Sequence, residues 1–300
     1  MPRLQPSALS TSAAAAAALA ALAWWTWSRR RRALLELDQW ALVVCAVREE
    51  ACFVEARLTR SHEVALAPAW RRVRGWIGGL QVDVLTCGIG EVDAASATTA
   101  ALLSEPRRPV AALSVGCSGA HRPEVRPGDV VLGAAVVPTA CKMVRADGSS
   151  EHVGQRLTTS ASPLAELRAD AHLLGLARAA ALQAALPPWP TTPGRAPAVH
   201  EGKVGSSDVW TQQVEEIERQ AALGTYCEEM EAHGVARACA AFGVPLLAIK
   251  DVANNELTPA SLAEAQLVEM AVCPAGGQRP IRLPGPSEGS GRSYAPRSAA

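Results

Sequence analysis

The chain has 300 residues, and its 29 Lys and Arg residues are balanced by 29 Asp and Glu residues. A chain without net charge lacks the positive field that attracts nucleic acid, and two Phe and two Tyr are too few for a platform that stacks single-stranded bases. Nucleic-acid partners are therefore excluded, and the length suits one large α/β domain.

Eight cysteines are spread along the chain without a C-x-x-C pair, and most of them lie in apolar runs. Closely spaced pairs are the usual sign of a zinc site, and disulfide frameworks belong to small secreted domains. We therefore expect reduced, buried thiols in an intracellular domain, with no metal site.

An apolar, Ala-rich run from Ala13 to Trp27 lies near the start of the chain, directly before Arg29–Arg32. Extended to Leu9–Ser28, the run reaches the about 20 residues that a membrane-spanning helix needs. Its tryptophans suit a membrane interface, and the arginines suit the cytosolic side. Residues 1–37 are therefore predicted to be a membrane anchor or targeting segment that holds the following domain in the cytosol. The alternative is a plastid or mitochondrial transit peptide, because the first 32 residues contain no acid.

Several apolar runs in the rest of the chain each lead into a cluster of small, charged or amide residues. The runs are Ala41–Val47, Val82–Thr86, Val110–Val115 and Val244–Ile249. Continuous apolar runs of this kind are typical of strands buried on both faces. We therefore predict a three-layer α/β fold with a mixed, mostly parallel central sheet flanked by helices. Ligands bind beyond the carboxyl ends of the strands in such sheets.

Three glutamates surround Met230 where a helical pattern begins. The apolar positions Val235, Ala236 and Cys239 recur at helical spacing, and Glu231 lies one step from that stripe. An unpaired buried carboxylate is costly. Glu231 is therefore either a charge favoured by the helix dipole or a group directed into a pocket.

The segment between about residues 140 and 200 is weakly patterned, apart from one helical pattern from Ala169 to Leu186. The last residues, 273–300, are mainly Pro, Gly, Ser and Arg, so we expect a disordered tail. The folded domain is therefore predicted to cover residues 38–272.

Five short motifs in one order resemble those of a known family. They are Val44–Glu50, Cys87–Ala95, Val115–Ala120 with Pro127–Val131, Gly205–Asp208, and Glu229–Ala232. The chain resembles the purine nucleoside phosphorylase and nucleosidase superfamily, and within it the 5′-methylthioadenosine/S-adenosylhomocysteine nucleosidases. The resemblance implies a nucleoside phosphorylase-like fold, a small-molecule purine nucleoside as substrate and a homodimer or larger oligomer. It implies no metal and no organic cofactor.

The resemblance also implies site residues around the sugar. Glu50 occupies the position of the glutamate that orients the attacking water. Glu231 occupies that of the glutamate that grips the ribose hydroxyls, with Met230 packing on the sugar and Glu229 beside it. A carboxylate that accepts two hydroxyl hydrogen bonds is a strong anchor.

The family brings a Gly-rich turn with a small hydroxyl residue near the sugar. The aligned residue is Cys117, and Ser118 and Gly119 follow it, so Ser118 is the alternative source of the hydroxyl contact. Val209 and Trp210 occupy positions that bracket the purine in the family. Trp210 could equally be a core or dimer-interface residue.

The residue that faces the base has two candidates. Counting without gaps from Val244 places Asn254 there, which resembles relatives that take 6-oxopurines, because an amide both donates and accepts. Matching the local Asp-Val-Ala pattern places Asp251 there instead, as in the adenine users. Both residues remain candidates.

Hydrolysis is favoured over phosphorolysis on the sequence. Phosphate capture needs cations, whereas the loop Arg48–Glu50 and the segment Gly88–Glu91 are acidic apart from Arg48. We therefore predict hydrolysis of the N-glycosidic bond of a purine nucleoside or 5′-thio-nucleoside, with release of the free base. The alternatives are a purine nucleoside phosphorylase and a non-catalytic, storage-type relative.

Overall fold

The computed structural model describes residues 39–152, 166–184, 186 and 194–258. These residues form twelve strands and five helices. The helices are α1 (Arg48–Glu55), α2 (Glu91–Leu103), α3 (Ala171–Ala181), α4 (Val214–Ala221) and α5 (Ala232–Phe242). The strands are β1 (Trp40–Cys45), β2 (Thr59–Ala67), β3 (Trp70–Ile77), β4 (Leu80–Thr86), β5 (Ala111–Ala120), β6 (Val130–Pro138), β7 (Lys142–Val144), β8 (Ser150–His152), β9 (Leu167–Arg168), β10 (Val199–Ser206), β11 (Thr225–Glu229) and β12 (Leu246–Asn254).

One mixed sheet organises the domain, in the order β11-β10-β6-β12-β5-β1-β4-β3-β2. Its centre is parallel, because β1 pairs with both β4 and β5, and β5 pairs with β12. Strand β11 also pairs with β5, so that β5, β12, β6, β10 and β11 form a closed circuit. The predicted mixed α/β sheet is confirmed.

Helices cover both faces of the sheet. One face packs against α1 and α3 through residues such as Ala51, Val54 and Leu174. The other face packs against α2 and α5 through residues such as Ala97 and Val235. Strand β1 is buried along its whole length, as expected for a strand with apolar side chains on both faces. The predicted three-layer arrangement is confirmed.

The small residues after Val115 belong to a strand and do not form a turn. Strand β5 continues to Ala120, and its last residues pair with β12 on one side and with Cys227 and Glu228 of β11 on the other. The turn expected from the sequence is therefore corrected. Pairing on both sides satisfies the backbone of this Gly-rich segment, and this outweighs its low intrinsic strand preference.

The predicted membrane-anchored localisation is corrected. Within the described residues, no helix is long and apolar enough to span a bilayer. The apolar run Ala13–Trp27 and the predicted segments 1–37 and 273–300 lie outside the described residues. Neither a membrane contact nor an organelle address is assigned to the chain.

Candidate functional site

The carboxyl ends of the central parallel strands meet at one edge of the sheet, and the predicted site residues lie along it. Glu50 follows β1, Cys117 lies near the end of β5, Glu229 ends β11, and Asp251 and Asn254 lie in the last part of β12. This edge is where ligands bind in sheets with parallel strands. The tertiary fold thus brings together residues that are far apart in the sequence.

Glu50 lies in the first turn of α1 and is held by backbone amides. Its Oε1 accepts a hydrogen bond from the Cys117 amide at 2.9 Å, and its Oε2 accepts from the Ala46 amide at 2.9 Å. The Val47 amide lies 3.4 Å from the same Oε2. Because these donors come from two different elements, the carboxylate is fixed across the end of the sheet. Glu50 remains partly exposed, whereas its neighbour Glu49 is fully on the surface.

Glycine is required beside this carboxylate. A Cβ atom at Gly116 would lie 2.5 Å from Oε1 of Glu50, closer than nonbonded atoms approach each other. A side chain at position 116 would therefore displace Glu50. The glycine at position 116, near the end of β5, therefore leaves the space that the Glu50 carboxylate occupies.

Glu231 immediately precedes α5 as its N-cap residue and is 9% exposed. Its Oε1 accepts a hydrogen bond from the Gly90 amide at 2.9 Å. Burial, followed by the charge of Glu229, raises the pKa of Glu231 to about 7. Of the two alternatives from the sequence, a carboxylate held in a buried site describes Glu231 better than a solvated charge on the first helical turn.

Glu229 has both carboxylate oxygens engaged within the protein. Oε2 accepts hydrogen bonds from the amides of Glu231 at 3.1 Å and Ala232 at 2.9 Å, and Oε1 accepts from the Ala232 amide at 3.1 Å, so that Glu229 caps the start of α5. Its Oε2 also lies 2.8 Å from the ammonium of Lys250. This arrangement orients the Met230–Glu231 segment, and Met230 itself is partly buried.

Lys250 is a site residue that the sequence reasoning missed. It lies in β12 at 2% exposure and donates a hydrogen bond to the hydroxyl of Ser114 at 3.1 Å, in addition to its pair with Glu229. Burial alone would lower the pKa of this lysine, but the charges of Glu229 and Glu231 outweigh burial and raise it. The sequence signal that could have identified it is a lysine placed directly after the apolar run Leu246–Ile249 of a buried strand.

Asp251 and Cys117 are neighbours on the adjacent strands β12 and β5. Burial, together with the charge of Glu50, raises the pKa of Asp251 to about 7. Cys117 is exposed, and its amide is the donor that holds Glu50. The negative charge of Glu50 therefore favours the protonated form of Asp251.

Ser118 and Asn254 are buried and form hydrogen bonds close to the end of β12. The Ser118 hydroxyl donates to the backbone carbonyl of Asp251 at 2.9 Å. The Asn254 amide donates to Glu256 at 3.0 Å, is 7% exposed and packs against Gly119, where a Cβ would lie 3.3 Å from its Nδ2. Asn254 thus lies next to the Gly-rich end of β5, as Asp251 does through its pairing with Cys117.

Val209 and Trp210 lie on the loop between β10 and α4 and are 55% and 57% exposed. Hydrogen bonds flank them on both sides: Asp208 accepts from the Glu91 amide at 2.6 Å, and the Thr211 amide donates to Glu228 at 2.8 Å. Trp210 is therefore not a core residue. The loop is held against the start of α2, next to the Gly90 amide that donates a hydrogen bond to Glu231.

A family model described as the phosphorylase superfamily matches residues 41–275 of the chain. Among curated relatives, the 5′-methylthioadenosine/S-adenosylhomocysteine nucleosidase of Marinomonas sp. is 30% identical over 74% of this chain and 89% of its own length. The enzyme of the same name from Desulfotalea psychrophila is 26% identical over 71% of this chain and 83% of its own length. The resemblance drawn from the five motifs is confirmed.

Solved structures support the same fold. A nucleosidase of this name from Colwellia psychrerythraea, in complex with adenine, has a TM-score of 0.61 at 20% identity and covers 80% of this chain and 91% of its own. A futalosine hydrolase mutant of Helicobacter pylori has a TM-score of 0.62 at 18% identity, with coverage of 78% and 94%. At these identities the likeness concerns the fold.

The raised pKa of Glu231 predicts how stability depends on pH. Its ordinary value of 4.5 applies to the unfolded chain, so the free energy of unfolding falls as pH rises from about 4.5 to the folded-state pKa of about 7. Glu231→Gln removes this cost and is expected to be about 2 kcal/mol more stable than the wild type at pH 7.5, with a smaller difference at pH 5.

Denaturant unfolding at a series of pH values measures this difference. Glu49→Gln, which removes an exposed carboxylate on the neighbouring segment, is the matched control and should follow the wild type throughout. A Glu231→Gln curve parallel to that of the wild type between pH 5 and 7.5 would contradict the buried, charge-coupled state of Glu231.

Proposed function

The chain belongs to the phosphorylase superfamily, and from this premise we propose that it hydrolyses the N-glycosidic bond of a purine 5′-thio-nucleoside of the methylthioadenosine/S-adenosylhomocysteine type. The named relatives support this substrate class. The observation that carries the proposal is the Glu50 carboxylate, which backbone amides of two elements fix at the sheet edge beside the buried Glu231.

Hydrolysis of an N-glycosidic bond builds positive charge on the ribose ring, as in the oxocarbenium-like transition state of glycoside hydrolysis. Amide donors hold both carboxylate oxygens of Glu50 at the end of the sheet. Its partly exposed carboxylate holds a water molecule against the anomeric carbon and takes its proton. General base help of this kind contributes about 10²–10⁴-fold.

Glu231 and Met230 bind the sugar in this proposal. An ionised Glu231 accepts hydrogen bonds from the ribose hydroxyls, and Met230 packs on the ring. Glu229 orients both residues by capping α5. Holding the sugar in one geometry relative to Glu50 converts the attack of water into an effectively intramolecular step.

The charge of the site favours water over phosphate as the nucleophile. Glu50, Glu229, Glu231 and Asp251 supply carboxylates at one edge, and the ammonium of the buried Lys250 is already engaged by Glu229 and Ser114. A phosphate dianion needs free cationic donors. The site therefore repels phosphate, and hydrolysis follows.

Incubation with methylthioadenosine, S-adenosylhomocysteine, adenosine and inosine, with and without phosphate, tests the proposal. We expect free adenine from the two 5′-thio-nucleosides without phosphate, measured by chromatography. Glu50→Gln is expected to lower kcat about 10³-fold, because an amide cannot accept the proton of water. Glu49→Gln is the control. A phosphate requirement, absence of base release from all four substrates, or a fully active Glu50→Gln variant would contradict the proposal.

Asp251 is the better candidate for the acid that protonates the departing base. A carboxyl group with a pKa of about 7 is partly protonated at neutral pH and has a proton to give. The amide of Asn254 has no proton to release, but it can donate and accept hydrogen bonds at a purine edge. We therefore assign protonation of the base to Asp251 and recognition of the base to Asn254.

Paired variants separate these two roles. Asp251→Asn is expected to lower kcat about 100-fold and to remove the loss of kcat as pH rises through about 7, because the titrating acid is gone. Asn254→Ala is expected to raise KM and weaken discrimination between adenosine and inosine. Initial rates across pH 5–9 measure both effects. The assignment is wrong if Asp251→Asn keeps the wild-type kcat while Asn254→Ala abolishes turnover.

A homodimer is the second part of the proposal. Ile89 and Val92 are 61% and 72% exposed, and Glu91, which lies between them in the chain, donates its amide to Asp208, which directly precedes the exposed Val209 and Trp210. We call these four residues the apolar patch. Single exposed apolar residues are common, but a cluster beside a site is typical of an interface. A second copy of the chain is the partner that the resemblance to the family implies.

Sedimentation velocity at micromolar concentration tests this interface. The wild type is expected to sediment as a dimer and Val92→Glu as a monomer, because a charge buried in an apolar interface is left unpaired. Leu182→Glu changes a residue that is 90% exposed and follows α3, away from the patch, so it should remain dimeric. A monomeric wild type would contradict the proposal.

A further inference from the structure

Lys250 is a buried cation beneath the proposed sugar site. It is 2% exposed, and its ammonium lies 2.8 Å from Oε2 of Glu229 and 3.1 Å from the Ser114 hydroxyl. A buried charge needs partners that satisfy it, and Glu229 is itself almost fully buried. Each of these two buried charges is therefore compensated by the other, and removing one would leave the other without its charged partner.

The pair extends directly to the proposed ribose anchor. Glu229 uses the same Oε2 that contacts Lys250 to accept the amides of Glu231 at 3.1 Å and Ala232 at 2.9 Å. Lys250 therefore fixes the carboxylate that fixes the backbone of Glu231. From there the Glu231 side chain reaches the Gly90 amide.

The charges that face Glu231 come from several elements. Glu229 of β11 and Glu50 of α1 are negative, the Cys87 thiol after β4 is neutral in its protonated form, and Lys250 of β12 is positive. Glu229 and Glu50 favour the protonated form of Glu231, and Lys250 favours its ionised form. Lys250 in turn influences other groups around it, namely Cys45, Cys117, Cys227 and Asp251.

We propose that Lys250 is a positioning residue, whose ammonium holds Glu229 beneath the start of α5 and keeps Glu231 ionised as the acceptor for the ribose hydroxyls. The inference rests on the proposed function, because it assigns a role to the sugar end of the same site. A protonated Glu231 donates one hydrogen bond and loses acceptor capacity. Sugar binding then requires the positive charge of Lys250 at neutral pH.

Removing the positive charge of Lys250 and removing the negative charge of Glu229 are expected to shift the pKa of Glu231 in opposite directions. Lys250→Met removes the positive charge and raises the pKa of Glu231. In a plot of 1/KM against pH, the acid limb is the low-pH part, where binding weakens because Glu231 takes up a proton. This limb therefore moves to higher pH in Lys250→Met. Glu229→Gln keeps an acceptor oxygen for the α5 amides but removes a negative neighbour, so the limb moves to lower pH. We expect KM of Lys250→Met at pH 7 to rise about fivefold and to approach the wild-type value at pH 9, since a rise of about one pKa unit from the value of about 7 lowers the ionised fraction of Glu231 at pH 7 by about that factor.

Lys203→Met is the matched control, because Lys203 pairs with Glu166 in a partly exposed salt bridge on β10, outside the site. Its acid limb should coincide with that of the wild type. Lys250→Gln, which keeps a donor for Glu229, takes the place of Lys250→Met if the methionine variant does not fold. A merely structural role for Lys250 would lower activity equally at all pH values, and that result would overturn the inference.

Unfolding by denaturant decides the question independently of activity. In the Lys250 variants Glu231 titrates above pH 7, so their free energy of unfolding should keep falling between pH 7 and 9 relative to Lys203→Met. Parallel curves over this range would overturn the inference. If the wild type cleaves no nucleoside, the proposed function fails, and the stability curves still decide whether Lys250 holds Glu231 ionised.

Discussion

The buried ion pair between Lys250 and Glu229 is the interaction on which the candidate site depends. Four carboxylates, those of Glu50, Glu229, Glu231 and Asp251, lie along one edge of the sheet and repel one another, and burial together with this repulsion raises the pKa of Glu231 and of Asp251. A single buried ammonium offsets part of this repulsion. Lys250 holds the Glu229 carboxylate in place, and that carboxylate also caps α5. The ion pair therefore fixes the position of Met230 and Glu231.

The two sides of the site are held in different ways, which suits two different tasks. Amides of Ala46 and Cys117 hold the two oxygens of Glu50, the carboxylate to which we assign the activation of water. Burial and the charge of Glu50 raise the pKa of Asp251, which favours a protonated carboxyl. A carboxyl group whose pKa is raised in this way is suited to the acid role that we assign to Asp251.

Much of the fold was predictable from the sequence, because continuous apolar runs specify strands buried on both faces without reference to distant residues. The run Ala41–Val47 predicted β1 closely, and the pattern around Val235 predicted α5. The segment Gly116–Ala120 was less predictable. Its composition favours a turn, whereas pairing with β11 and β12 keeps it in a strand, and that pairing depends on elements more than 100 residues away.

The amino-acid sequence specifies which residue types are available: a Glu after the first strand, a Met-Glu-Ala segment before a helix, and two candidates near the end of the last strand. These are local patterns. The packing of the folded chain is what leaves room for Glu50 at Gly116, makes Glu229 a helix cap, and places Lys250 where it compensates the charge of the site. The physical reason is that burial, amide donors and neighbouring charges come from different elements, and their effects on a side chain exist only once those elements pack together.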